Sequence, residues 1–217
     1  MSLSETPDFE VPDLSMGPIE EGTSILLTGD DADALETVFY RLVSPTTDES
    51  ALVLATDADG STVNRALDDT TPGASDRATV LTCEGPDAGE NVSSVDDIAD
   101  LTGLGMQFSS LVAETQTTAP RLRAGILLCS SICREIEDTR SVFRFLNSNL
   151  LSQLRRNEAI GVCALDTSVD VGTSTKSLVA GMKTSFSASI EVESTGAGSA
   201  TLHVSGLGDD RSIDVSL

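Results

Sequence analysis

The sequence predicts an α/β fold, a mainly parallel sheet flanked by helices with an antiparallel hairpin extension near the C-terminus. Three observations lead there. Short apolar runs alternate with stretches of helical period five times between Ser24 and Leu165, and strands separated each time by a helix need crossovers that set them parallel in one sheet. Aromatic residues are only 3% of the chain and Trp is absent, so the core must be built from Leu, Val, Ile and Ala, as in a sheet covered on both faces. The last third then changes to short segments that alternate apolar and polar residues around a glycine turn, the mark of an antiparallel pair.

Residues 1–20 carry three prolines and no sustained period, which predicts an extended or partly disordered arm ahead of a single domain over 21–217. Within the arm, Phe9, Val11, Leu14 and Met16 form no face of an element of their own. They are the candidate interaction residues, expected on a sheet edge or a neighbouring subunit. Strand one, Ser24 to Thr28, is apolar at its centre, and the helix after it repeats Leu35, Val38, Phe39 and Leu42 at i, i+3, i+4, i+7, with Asp30 or Asp31 as N-cap. Strand two is Ala51 to Ala55, followed by a polar turn and a helix from Thr62 to Leu67. Asp57, Asp59 and Ser61 imitate the start of a calcium loop, but Thr62 stands where the glycine is needed. Strand three is Thr79 to Cys83, and a helix from about Leu104 to Thr115 carries Phe108, Leu111 and Val112. Strand four is Gly125 to Cys129, the longest helix is Ser141 to Arg156 with Thr139 as N-cap, and strand five is Ile160 to Leu165. A helix from about Ser174 to Lys183 then leads into the alternating segments Ala188 to Glu193, Ala200 to Ser205 and Arg211 to Val215.

Charge excludes several function classes. With 35 acidic against 13 basic residues the formal net charge is −22. A polyanion needs clustered Lys and Arg, and the one dense pair, Arg155 and Arg156, ends a helix where it suits the dipole, so nucleic acid is not an expected partner. Two lysines against eleven arginines, with abundant Asp, give a composition similar to cytosolic proteins of extreme halophiles, which stay soluble when salt screens charge. No window approaches about 18 uninterrupted apolar residues and the N-terminus has no basic leader, so neither a membrane nor a secretory signal is expected, and a cytoplasmic location is. Cys83, Cys129, Cys133 and Cys163 end or follow apolar runs, as buried cysteines do. With His203 the only histidine, no metal or other cofactor is expected.

The stretch Thr23 to Val43 organises the rest. An apolar strand that turns at a glycine into a helix is where a phosphate loop sits, using backbone N–H groups and a lysine. Laid on that motif, Gly29 is the first glycine, but Ala34, Leu35 and Glu36 stand where the second glycine, the lysine and the hydroxyl belong. Asp30, Asp31 and Asp33 fill the turn with negative charge that repels a triphosphate.

Together with SILLTGD, the segments ALVLATD, DLTGLGMQFSSLV, RAGILLCSSICREI, SVFRFLNSNLLSQLRRNEAIGVCALD and GMKTSFSASIEVE resemble, in pattern and order from about Gly22 to Gly206, the RecA-like ATPase core, most closely its KaiC-like and RadA-like archaeal branch. The resemblance implies oligomers and phosphoryl transfer. The catalytic positions it implies are nevertheless empty: no lysine or hydroxyl at Leu35 and Glu36, Cys129 and Ser130 where an acid helps hold magnesium, and Thr56-Asp57 where a glutamate activates water. Phosphoryl transfer is nearly all positioning and charge neutralisation, so the expected function is a non-catalytic interaction or regulatory module with a protein partner or a second copy. A nucleotide-binding ATPase with a rearranged site is the alternative, and nucleotide affinity separates the two. A redox or metal sensor through Cys129 and Cys133 is a third reading. Gly172 to Ser177 contains Thr175, Lys176 and Ser177 at a helix start, an anion site in outline that is too short for a phosphate loop. Ser130 and Ser131 lack a nearby base, so no serine hydrolase arrangement is read.

Overall fold

A computed structural model describes residues 8–85, 89–119, 121–136, 138–157, 159–172 and 174–217. Its centre is β1 (Ser24–Gly29), whose six residues are all buried. From it the chain runs through α1 (Ala32–Val43), β2 (Glu49–Asp59), α2 (Gly60–Thr70), β3 (Ala78–Glu84), β4 (Val92–Ser94) and α3 (Leu101–Thr118). It continues through β5 (Arg121–Leu127), α4 (Cys129–Glu135), α5 (Thr139–Phe145), α6 (Ser152–Arg156), β6 (Ile160–Asp166) and α7 (Thr175–Lys183), and closes with β7 (Ala188–Gly196), β8 (Ser199–Ser205) and β9 (Arg211–Ser216).

The nine strands form one sheet in the order β4-β3-β2-β5-β6-β1-β7-β8-β9. Every pairing from β4 to β7 is parallel, and β7-β8-β9 is antiparallel. The predicted α/β architecture, parallel sheet with a C-terminal antiparallel hairpin, is the one observed. Side chains alternate across the strands, and two apolar layers result. Ile25 and Leu27 face the layer of α1, α2 and the N-terminal arm, whereas Leu26 faces that of α3 to α7. Gly125 on β5 permits this packing, since a Cβ there would sit 2.6 Å from the ring of Phe39 on α1.

Four expectations are corrected. The arm is no free tail: Phe9, Val11, Leu14 and Met16 are 1%, 3%, 0% and 5% exposed and belong to the core beside α1, while residues 1–7 lie outside the described residues. Phe9 pairs with Ile19 in an antiparallel bridge, which turns the arm on itself and sinks its apolar side chains into the protein's own layer. Arg121 and Arg123 on β5 fasten it, with guanidinium carbons 4.4 and 5.4 Å from the Phe9 ring centre and N–H groups donated to the Asp8 and Glu10 carbonyls at 2.9 and 2.8 Å. Strand four ends at Leu127 rather than Cys129, because Leu128 takes a left-handed conformation (φ 53°) and Cys129 opens α4. The helix expected as the longest, Ser141 to Arg156, is interrupted by a π turn, Leu146–Leu151, so that α3 is the longest α-helix; the extra residue of the π turn lets the adjacent Leu150 and Leu151 both face inward, each 1% exposed. Asp138, not Thr139, caps the start of α5, accepting from Arg140 N at 3.1 Å.

Candidate functional site

In open parallel sheets ligands sit beyond the carboxyl ends of the strands, where neighbouring strands send their connections to opposite faces. Here β1 leads to α1 on one face and its neighbour β6 leads to α7 on the other. The candidate residues Gly29, Asp30, Asp31, Ala34, Leu35 and Glu36 lie at that point.

The connection from Gly29 to Ala32 is two residues long. Asp31 is the N-cap, and its carboxylate accepts from Ala34 N at 3.1 Å. This bond and those from the Asp33 backbone and Ser194 hold its carboxyl below the usual aspartate range. A helix start of this kind has already given its free N–H groups an anion of its own. Ala34 and Leu35 are 1% and 0% exposed: the position where a lysine would reach a phosphate lies in the core. Glu36 points instead into a groove of about 740 Å3 shared with Asp13, Asp33, Tyr40, Arg41 and Asp69, where burial, then Asp33 and Asp57, pushes its carboxyl up. Gly29 serves packing, since a Cβ there would stand 3.1 Å from the Val192 carbonyl of β7.

The other positions at this end of the sheet are spent on structure. Thr56 donates to the Leu127 and Leu128 carbonyls at 3.0 and 2.9 Å, holding the left-handed turn after β5. Asp57 accepts from Ser131 Oγ at 2.7 Å. Asp59 caps α2 through Ser61 and Thr62, which lower its pKa to about 2; the calcium-like segment is thus a helix start. Cys129, Cys133 and Cys163 are buried. The Cys133 bond pulls the Cys129 thiol down, but its bond to Cys163 and burial outweigh that and hold it well above the ordinary range. Such thiols are inert. Among the described residues, no group of three or more His, Cys, Asp or Glu is placed to hold a metal ion.

Thr175 and Lys176 open α7 and line a cavity of about 910 Å3 beside the end of β1; Thr173 lies outside the described residues. Sequence reasoning missed two members of this cavity. Lys183 stands two turns after Lys176, so it faces the same way. Thr28 precedes Gly29 and faces α7 by strand alternation from Leu26. That i, i+7 spacing of the chain's two lysines was the available signal. Ser177 is exposed and is not among the cavity's lining residues.

His203 is also better connected than its sequence position suggests. Its Nε2 lies 2.9 Å from Glu193 Oε2 and its Nδ1 2.9 Å from Ser212 Oγ, a polar row across β7, β8 and β9. The His203 and Glu193 side chains are 46% and 65% exposed. Such a row is solvated, whereas nucleophilic catalysis draws on a water-excluded site with donors aimed at the developing oxyanion.

The profile of a family of unknown function, DUF7504, matches residues 22–192. No curated protein matches the chain. Among solved structures it is similar to the uncharacterized protein PH0321 from Pyrococcus horikoshii, crystallised in complex with an unknown peptide, with a TM-score of 0.64 and 12% identity over 92% of this chain and 96% of that one. PH0250 from Pyrococcus horikoshii OT3 is similar with a TM-score of 0.59 and 10% identity, over 86% and 87% of the two chains. These likenesses are of fold.

Proposed function

The chain belongs to DUF7504, a family of unknown function, and from that premise we propose that it is a non-catalytic protein of RecA-like, KaiC-like architecture that acts in the cytoplasm by contact with other proteins. The observation that carries this reading is the two-residue turn after β1, capped by Asp31 and followed by the buried Leu35. It leaves neither the open amides nor the cation that a transferring phosphoryl group requires.

The contact surface we assign is the β9 edge. Leu217 N donates to Gly198 O at 2.9 Å, and with the β8-β9 register this turns the backbone N–H and C=O of Ser212 and Asp214 outward. An unpaired edge of this kind takes an extended segment as an added strand. That PH0321 was crystallised with a peptide supports looking for such a segment, from a partner or a second copy.

The test is calorimetric titration with ATP in molar KCl, with and without magnesium, alongside a hydrolysis assay. Neither binding nor turnover is expected. Asp30→Ala, Asp31→Ala and Glu36→Ala should leave that result unchanged, although Asp31→Ala lowers the melting temperature by removing a cap. Micromolar affinity for ATP in the parent protein would overturn the reading in favour of a nucleotide-binding protein with a rearranged site.

A further inference from the structure

The chain contains two lysines, Lys176 and Lys183, and both line the cavity between α7, β7 and the end of β1. We propose that this cavity binds a small molecule through a single oxyanion, a carboxylate or a phosphomonoester, held by Lys176, the Thr28 hydroxyl and the first-turn amides of α7, with Lys183 at the far end of the helix adding positive charge to the same cavity.

Three independent features converge there. Among the described residues the first turn of α7 has no side-chain cap: Ser174 makes no side-chain bond to it, and it contains no acidic residue; α1, α2, α3 and α5 start with a capping Asp, while α4 and α6, both under eight residues, also lack a cap. Its leading N–H groups therefore keep their capacity for an anion, and the dipole favours one. Neither lysine is in an ion pair with a described residue. Thr28 is the third feature. It is 3% exposed, lines the cavity and makes no side-chain hydrogen bond to a described residue. The other buried sheet threonines, Thr56 and Thr82, each donate to two backbone carbonyls. The Thr28 hydroxyl is thus left to the cavity it lines, where an oxyanion would supply its acceptor.

The same cavity limits the ligand. Asp30, Glu191 and Glu193 also line it, with Glu193 turned to His203 at 2.9 Å. Three carboxylates against two ammonium groups oppose a polyanion such as a triphosphate, whereas one oxyanion at the Lys176 end keeps its distance from the exposed rim. Val179, Ala180 and Val192 offer apolar surface to the ligand's carbon body. The site lies on the α7 face of the sheet, opposite α1, and does not depend on the contact surface proposed above.

The full chain labelled with 15N, titrated at constant ionic strength with inorganic phosphate in one arm and acetate in the other, tests this. Saturable shifts are expected at the amides of Thr175, Lys176 and Ser177 in at least one arm, and the arm that saturates identifies the oxyanion. Lys176→Met combined with Lys183→Met should weaken that binding by about tenfold or more, as for charge-assisted hydrogen bonds, and Thr28→Val several-fold, with circular dichroism unchanged. Shifts that never saturate in either arm, or that persist with equal affinity in the double lysine variant, would overturn the proposal.

Discussion

At the scale of single residues, Arg123 decides how the arm, the sheet and α1 meet. It is 1% exposed, its Nε lies 2.6 Å from Glu49 Oε2, and it donates to the carbonyls of Leu42 and Glu10. Burial alone would raise the Glu49 pKa, but the Arg123 bond and charge, with the Thr46 amide at 2.9 Å, outweigh it and hold the carboxyl below its ordinary 4.5. A depressed carboxyl contributes stability that is complete above the unfolded value and lost as pH falls through the folded one. Urea midpoints should therefore drop as the solution is acidified below about pH 4.5. Arg123→Met should cost about 3 kcal/mol at neutral pH, with Arg121 at 3.4 Å still facing Glu49, and should flatten that acid limb. An unchanged limb in the variant would place the titration elsewhere. At this scale the sequence was a good guide to burial and a poor one to partners. The buried face of α1, Leu35 included, was legible from spacing alone, whereas the Arg123–Glu49 pair joins positions 74 apart and follows from β2-β5 pairing, which no local pattern announces.

At the scale of elements, long apolar runs and helical stripes were legible because each reports its own burial. The strand centres and the Leu35, Val38, Phe39 and Leu42 face all lie where expected. Elements that depend on a neighbour were not legible. The three-residue β4 exists because β3 offers it an edge, and the π turn exists because two adjacent leucines share one core. The arm is the instructive error. Its apolar residues fit no period, yet a folded-back segment needs none when it is held by carbonyls and two guanidinium groups. Deleting residues 1–18 should accordingly lower the melting temperature by well over ten degrees, since it uncovers the apolar patch under Phe9, Leu14 and Met16. An intact, equally stable truncated core would contradict this docking. On the opposite side, Ser212→Pro removes an outward N–H from β9 while sparing its ladder to β8. It should leave circular dichroism unchanged and lower the mass seen by light scattering if copies pair through this edge.

For the molecule as a whole, a net charge of −22 around one nine-stranded sheet sets the response to salt. Self-repulsion opposes the folded state in dilute buffer, and screening over about 3 Å near 1 M salt relieves it. The melting temperature should rise steadily from dilute buffer to molar KCl; a flat or falling curve would contradict adaptation to salt. The architecture was readable at this scale because five strand-helix alternations admit few topologies. The geometry of the turn after β1 took the structure: Asp31 caps α1 and Leu35 is buried. The claim that this turn holds no phosphate is tested most directly by titrating MgATP in molar KCl and following the backbone amides from Gly29 to Leu35 by 15N-resolved NMR. They should not move. Saturable shifts at those amides, with micromolar affinity, would contradict the account.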